Sequence, residues 1–144
     1  MNSVFVHPAW LDAAGQWIGK EPESEFDLAR YAEAGLPTDV IRIMTGHGLT
    51  STEVDSLVIP HRTLKHRRSR REPLSREESD RAIRLARILA RAAVVFGSEE
   101  KALRWMRRPA ARFENRSPMQ MLSTEAGGRL VEEALIQIDE GMFA

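Results

Sequence analysis

The stretch Ser75–Gly97 constrains this chain most, because it carries a complete helix signature from start to stop. Ser75-Arg76-Glu77-Glu78 fits a capping box, in which a serine hydroxyl and a glutamate carboxylate satisfy orphan amides reciprocally. Leu85, Ile88, Leu89, Ala92 and Phe96 follow at helical spacing, and Gly97 supplies the expected stop. A helix this long with an apolar face needs other elements to cover it. The rest of the chain offers helices for that purpose and nothing else. No segment alternates apolar and polar residues with period two, so no sheet is expected and the fold class is all-α.

Proline, glycine and small polar residues punctuate the remaining helices. Glu23–Gly35 reads as a helix with Ser24 as N-cap and Gly35 as stop. Pro37 starts the next, with Val40, Ile41 and Met44 as its apolar stripe and Gly46 and Gly48 at its end. Thr50 or Ser51 caps a short helix, Thr52–Val58, and Pro60 opens another to about Arg68. Ser69–Leu74 is a basic linker. Ser98 caps Glu99–Arg107, Ser117-Pro118 opens one or two turns through Leu122, and Thr124 opens a last helix to about Glu140. Its expected apolar face is Leu130, Ala134, Leu135 and Ile138. Residues 1–22 are weakly patterned, with Trp10 and Trp17 as anchors, and read as a partly ordered arm. The expected organisation is therefore an arm over 1–22, a helix-turn-helix unit over 23–74 and a small helical domain over 75–144.

A formal net charge of zero conceals a pattern. Residues 1–58 carry nine acidic and three basic side chains, residues 59–71 carry six Lys or Arg and no acid, and residues 72–144 carry twelve of each. No basic residue follows Arg129, whereas Glu132, Glu133, Asp139 and Glu140 do. A basic patch and an acidic end point to two different partners. The basic run coincides with the second helix of a helix-turn-helix, the element that enters the major groove. His61, Arg62, Thr63, Lys65 and His66 fall near its front, where base edges are read. Arg67 and Arg68, with Arg70 and Arg71, follow in positions suited to phosphates, and Thr50, Ser51 and Thr52 add phosphate contacts at a helix start. An acidic protein surface or RNA is the alternative use of this patch, and a charge run on a helix is otherwise a solvated face.

Catalysis finds little support. There is no cysteine, which excludes disulfides and thiolate sites. His61 and His66 are five apart, whereas metal pairs on a helix want three or four. Gly46-His47-Gly48 is too short for a phosphate loop, and no serine sits in an elbow context. The adjacent pairs Glu77/Glu78, Glu99/Glu100 and Glu132/Glu133 favour a helix dipole at or near helix starts. No enzyme activity, metal or cofactor is expected. No run of about 18 apolar residues is present, and the first ten residues lack a signal-peptide pattern, so a cytoplasmic protein is expected.

Several segments, in order, resemble the Xre/MbcA/ParS-like antitoxin family. They are Glu78-Ser79-Asp80-Arg81, Arg84-Leu85-Ala86-Arg87, Val95-Phe96-Gly97, Ala102-Leu103-Arg104-Trp105-Met106 with Arg108-Pro109, Ser117-Pro118-Met119, Leu122 through Gly127, and Val131-Glu132 to the closing Ile138–Ala144. Upstream, Ile59 to Arg68, including Arg62-Thr63-Leu64, is similar to the Xre-like helix-turn-helix that precedes such domains. The likeness spans about Gly35 to Ala144 and leaves residues 1–34 as lineage-specific. Met106 and Met119 replace expected leucines, a volume-conserving change. The resemblance implies an antitoxin of a type II system whose partner is a RES-type toxin that degrades NAD. It also implies a homodimer that binds operator DNA and represses its own operon. The alternative is a free-standing helix-turn-helix regulator without a toxin. Gly141, Met142, Phe143 and Ala144 are expected to neutralise the toxin. Gly141 would turn the chain, Met142 and Phe143 would be buried, and a terminal carboxylate on Ala144 would meet groups that hold the NAD pyrophosphate. Arg84, Arg87 and Arg91 are expected mostly on a solvent face, and Trp105 in the core of the C-terminal domain.

Overall fold

The capping box at Ser75 forms as read: its Oγ accepts from the Glu78 amide at 3.1 Å, and the Glu78 carboxylate accepts from the Ser75 amide at 2.7 Å. The computed structural model describes residues 7–141. Its helices are α1 (Ala9–Ile18), α2 (Glu25–Ala34), α3 (Asp39–Gly46), α4 (Ser51–Leu57), α5 (His61–Ser69), α6 (Arg76–Phe96), α7 (Glu99–Arg107), α8 (Pro118–Met121) and α9 (Glu125–Asp139). A 3-10 turn, Ala111–Phe113, joins α7 to α8, and one isolated bridge pairs Ala110 with Arg116. The described residues hold no strand, so the fold is all-α.

Helix α6 is the axis. The sequence assigns one apolar face to it, but the structure also buries Ala82, Ile83, Ala86 and Ala90. Helices α1, α2, α7 and α9 all pack against it. The alanines permit this, since a methyl group lets neighbouring backbones approach where a longer side chain would hold them off. Ile88 and Leu89 are fully enclosed, and each contributes roughly 1.5–3 kcal/mol of hydrophobic stabilisation.

The expected arm is instead a core element. Trp10, Leu11, Ala14, Trp17 and Ile18 recur at helical spacing on α1, and all are buried, chiefly against α6. Gly15 escapes a simple reading because a glycine inside a helix lowers the helix signal. Here the chain doubles back over it: a Cβ on Gly15 would lie 2.4 Å from the Lys20 carbonyl oxygen, so only glycine fits. Trp17 stacks at a tilt on His47, with ring centroids 5.0 Å apart.

Two further expectations change. Arg87 and Arg91 are not a solvent face. Arg87 makes a two-pronged pair with Glu132 of α9 (2.9 and 3.2 Å). Arg91 Nε lies 3.1 Å from the same carboxylate at an angle outside hydrogen-bond geometry, while its guanidinium sits 4.5 Å from the centre of the Trp10 ring. On α9, Leu130 is half exposed, and Gly127, Gly128, Val131, Ala134 and Leu135 face inward. The rotation follows from close packing at Gly127, where any Cβ would collide with the Met121 carbonyl.

The α5 helix is clamped to α6. Arg67 donates to both oxygens of Glu78, at 3.1 and 3.2 Å, and Arg81 donates to the Val58 carbonyl at 2.9 Å. The fully buried Ser79 hydroxyl accepts the Leu36 amide at 2.8 Å, and the Leu36 carbonyl takes the Leu74 amide at 2.9 Å. Burial pushes the Glu78 carboxyl up, but the Arg67 guanidinium and the Ser75 amide outweigh it and hold it below its ordinary value.

Two outcomes are expected. Trp17→Ala should destabilise the fold by about 3–5 kcal/mol in urea unfolding, the range for a fully enclosed indole; a loss under about 1 kcal/mol would mean α1 is dispensable. Glu78→Gln should lower stability by roughly 1.5–3 kcal/mol at neutral pH. Because the folded carboxyl is held low, its stabilisation is complete above the usual glutamate range and disappears as pH falls through the lowered value. The gap between wild type and variant should therefore close on acidification, as measured by unfolding at stepped pH.

Candidate nucleic-acid interface

Helices α4 and α5 are joined by the turn Val58–Pro60, whose Val58 and Ile59 are buried beneath it. Thr50 caps α4: its hydroxyl accepts from the Glu53 amide at 3.1 Å, and its own amide donates to Glu53 at 2.9 Å. Asp55 accepts the His61 amide at 2.6 Å and so caps α5 across the turn. Leu64 is the one buried residue of α5 and pins it down. Around that pin, His61, Arg62, Lys65, His66 and Arg68 are exposed and Thr63 is half-buried. His61, Arg62, Lys65 and His66 share the outward face at helical spacing, and no acid occurs from 59 to 71 to neutralise them. The geometry suits a basic reader helix braced by a shorter helix.

One site residue read from the sequence is engaged elsewhere. Arg67 is not available for phosphate, because its guanidinium is engaged by Glu78 and lies 3.8 Å from Glu72. It acts as the brace that fixes the reader helix. Thr50, Ser51 and Thr52 are all exposed at the start of α4; the Thr50 hydroxyl accepts in the cap and its amide donates to Glu53, so only its O–H proton is left to donate.

The sequence gives no sign of how this unit joins the C-terminal half. Arg107 at the end of α7 makes a two-pronged pair with Glu53 (2.9 and 2.8 Å) and donates to the Gly48 carbonyl at 2.8 Å. His47 Nδ1 lies 2.9 Å from a Glu99 oxygen, and Leu103 occupies the space that a side chain at Gly48 would need. Burial raises the Glu53 carboxyl, yet the Arg107 pair and the Thr50 amide leave it below its ordinary value. These partners are more than fifty residues apart, and each looks like an ordinary surface charge in sequence.

In the C-terminal half, Trp105 packs against Phe96 with centroids 5.3 Å apart, at the edge of the core. Val94, Leu130 and Ile136 are apolar and exposed. A groove between α6 and α9 is lined by Trp10, Val94, Val95, Leu135 and Ile136 together with Arg91, Asp139 and Glu140. Gly141 ends α9 with a φ of +80°, a conformation that favours glycine. Met142, Phe143 and Ala144 lie outside the described residues. Among the described residues no group of side chains has the makings of a metal site, and no helix is long and apolar enough to cross a membrane.

Comparison with known proteins follows this division. Residues 27–87 match the antitoxin Xre-like helix-turn-helix domain, and residues 91–141 match the antitoxin Xre/MbcA/ParS C-terminal toxin-binding domain. The two matches meet inside α6. An Antitoxin Xre of Pseudomonas putida is 43% identical over 122 residues, covering 84% of this chain and 76% of that protein. An Antitoxin Xre of Photorhabdus laumondii is 32% identical over 146 residues, covering 99% of this chain and 95% of its own length. That similarity takes in residues 1–34, which are therefore not peculiar to one lineage. A protein of a Sphingobium species named Prs ADP-ribosylating antitoxin is 28% identical over 99 residues, 62% of each chain. Antitoxins of this kind are binding proteins and not enzymes. With a basic reader helix clamped to a shared axial helix, and both halves matched in order, the chain belongs to the Xre/MbcA/ParS antitoxin family.

Proposed function

We propose that this antitoxin neutralises a RES-type toxin that degrades NAD, and represses its own operon by binding operator DNA as a homodimer in the cytoplasm. One observation carries the reading: a rigid helical frame presents an uncompensated basic helix at α5 and a separate apolar and acidic surface at α6 and α9. The first suits a polyanion and the second a protein. The toxin-binding domain match over 91–141 argues against a free-standing regulator.

On DNA, His61, Arg62, Thr63, Lys65 and His66 face the bases, while Arg68, Ser51 and Thr52 face phosphates. Two copies related by a two-fold axis would read half-sites about one helical turn apart. On the toxin, Gly141 turns the chain out of α9, and Met142, Phe143 and Ala144 enter the NAD pocket. Burying Met142 and Phe143 contributes at most roughly 1.5–3 kcal/mol each. The name of the Sphingobium relative associates one such antitoxin with ADP-ribosylation, a reaction that also consumes NAD. NAD loss is therefore the appropriate readout for either chemistry.

Arg62→Ala and Lys65→Ala should each weaken operator binding by roughly 1–3 kcal/mol, and relax its sequence preference, while leaving toxin binding intact. Unchanged mobility shifts for the double variant would show that α5 is not the reader. Removing Met142 to Ala144 should leave a folded protein that still captures toxin but lets NAD compete. Titrating NAD consumption by the toxin with the full and shortened chains tests this; equally tight, stoichiometric inhibition by both would assign neutralisation to the helical surface instead.

A further inference from the structure

Averaging over residues 72–144 hides a second basic segment. Residues 101–116 carry six Lys or Arg and a single acid, Glu114. The fold brings the front of this segment beside the helix-turn-helix: Arg107 grips Glu53 in the first turn of α4, and Pro109 lines the same groove as Thr52 and Ser56. Arg107 is neutralised by that grip, and its neighbours are not. Lys101 and Arg104, three residues apart, share one side of α7, and Arg108 follows as its extended C-cap; all three are exposed. The described residues place no acid within ion-pair range of Lys101 or Arg108, and Arg104 pairs only with Glu100, whose side chain is 82% exposed. Such an exposed pair is weak and easily exchanged for another anion.

The first helix of a helix-turn-helix crosses the DNA backbone while the second lies in the groove. In this chain the first helix is α4, and the cationic row of α7 is fastened beside it. We infer that the toxin-binding half is itself a DNA-contacting element: Arg108, supported by Arg104 and Lys101, meets duplex phosphates flanking those reached from α4 and α5. The inference rests on the proposed operator binding by α5. These contacts supply affinity and register without reading sequence. They also place one DNA contact on the domain that engages the toxin, through the Arg107–Glu53 pair.

The test uses the full-length protein and two fluorescent duplexes: the DNA immediately upstream of its reading frame, and a shuffled duplex of the same composition. Arg62→Ala, Arg108→Ala, Arg104→Ala/Arg108→Ala and Arg108→Lys are compared by anisotropy across a salt titration. Arg108→Ala should weaken binding to both duplexes alike, about three- to tenfold near 0.1 M salt, and reduce the salt slope by about one. The double variant should lose more, and Arg108→Lys, which keeps the charge, should retain the slope. Thermal unfolding should be unchanged, since Arg108 is exposed. If Arg62→Ala weakens binding but Arg108→Ala and Arg104→Ala/Arg108→Ala keep wild-type affinity and slope, the inference fails and the reader assignment stands. If none of the variants matters, the operator reading fails and takes the inference with it. Loss of toxin capture with unaltered DNA binding would give the row to an acidic toxin surface instead.

Discussion

The Glu78 carboxylate sits where three requirements meet. It completes the cap of the axial helix, it holds the reader helix through Arg67, and it lies beside the Ser79 hydroxyl that takes the Leu36 amide. A nearly buried carboxylate is costly unless it is paired and hydrogen-bonded. Here the pairing fixes geometry as well as charge, because a guanidinium fork meets a carboxylate in few orientations. The angle between α5 and α6, and so the position of the exposed bases on α5, follows from that fork. Arg81, bonded to the end of α4, holds the same junction from a second point.

Beyond this junction the molecule lacks two separable cores. The helix-turn-helix match and the toxin-binding match meet within α6, whose flanks are shared by α1, α2, α7 and α9. A close-packed shared helix keeps the elements on both of its flanks in one arrangement. His47–Glu99 and Arg107–Glu53 tie the halves again at the surface. The two binding surfaces are thus held in one frame, and a partner on one half meets a fixed arrangement of charges on the other.

Charge in this protein is best understood by subtraction. Arg67, Arg87 and Arg107 look in sequence like members of basic runs, yet each is engaged by a carboxylate from a different helix. Among the cations these pairings leave are an outward row on α5 and the exposed Lys101, Arg104 and Arg108 along α7 and at its C-cap. The acidic end of the chain is thinned in the same way, since Glu132 faces Arg87 and Arg91 rather than a partner. Composition counts every charge equally, whereas a partner meets only those left uncompensated.

Local features of the sequence were enough for the helices and their ends. The capping box at Ser75, the start at Ser117-Pro118, the stops at Gly35 and Gly97, and the basic helix after Pro60 are set by interactions within about six residues, which any reader of the chain can enumerate. The family resemblance likewise rests on ordered local segments. Tertiary structure decided the rest. Trp10 and Trp17 form a core helix only because α6 offers a face to cover, and Leu130 turns outward because Gly127 must pass Met121. Arg67 and Arg107 become braces because Glu78 and Glu53 approach them from other helices. Hydrophobic spacing shows that a helix has a face without naming what covers it, and a charge in sequence carries no record of its counter-ion. Such pairings form between residues distant along the chain, whose meeting depends on how all the helices pack at once.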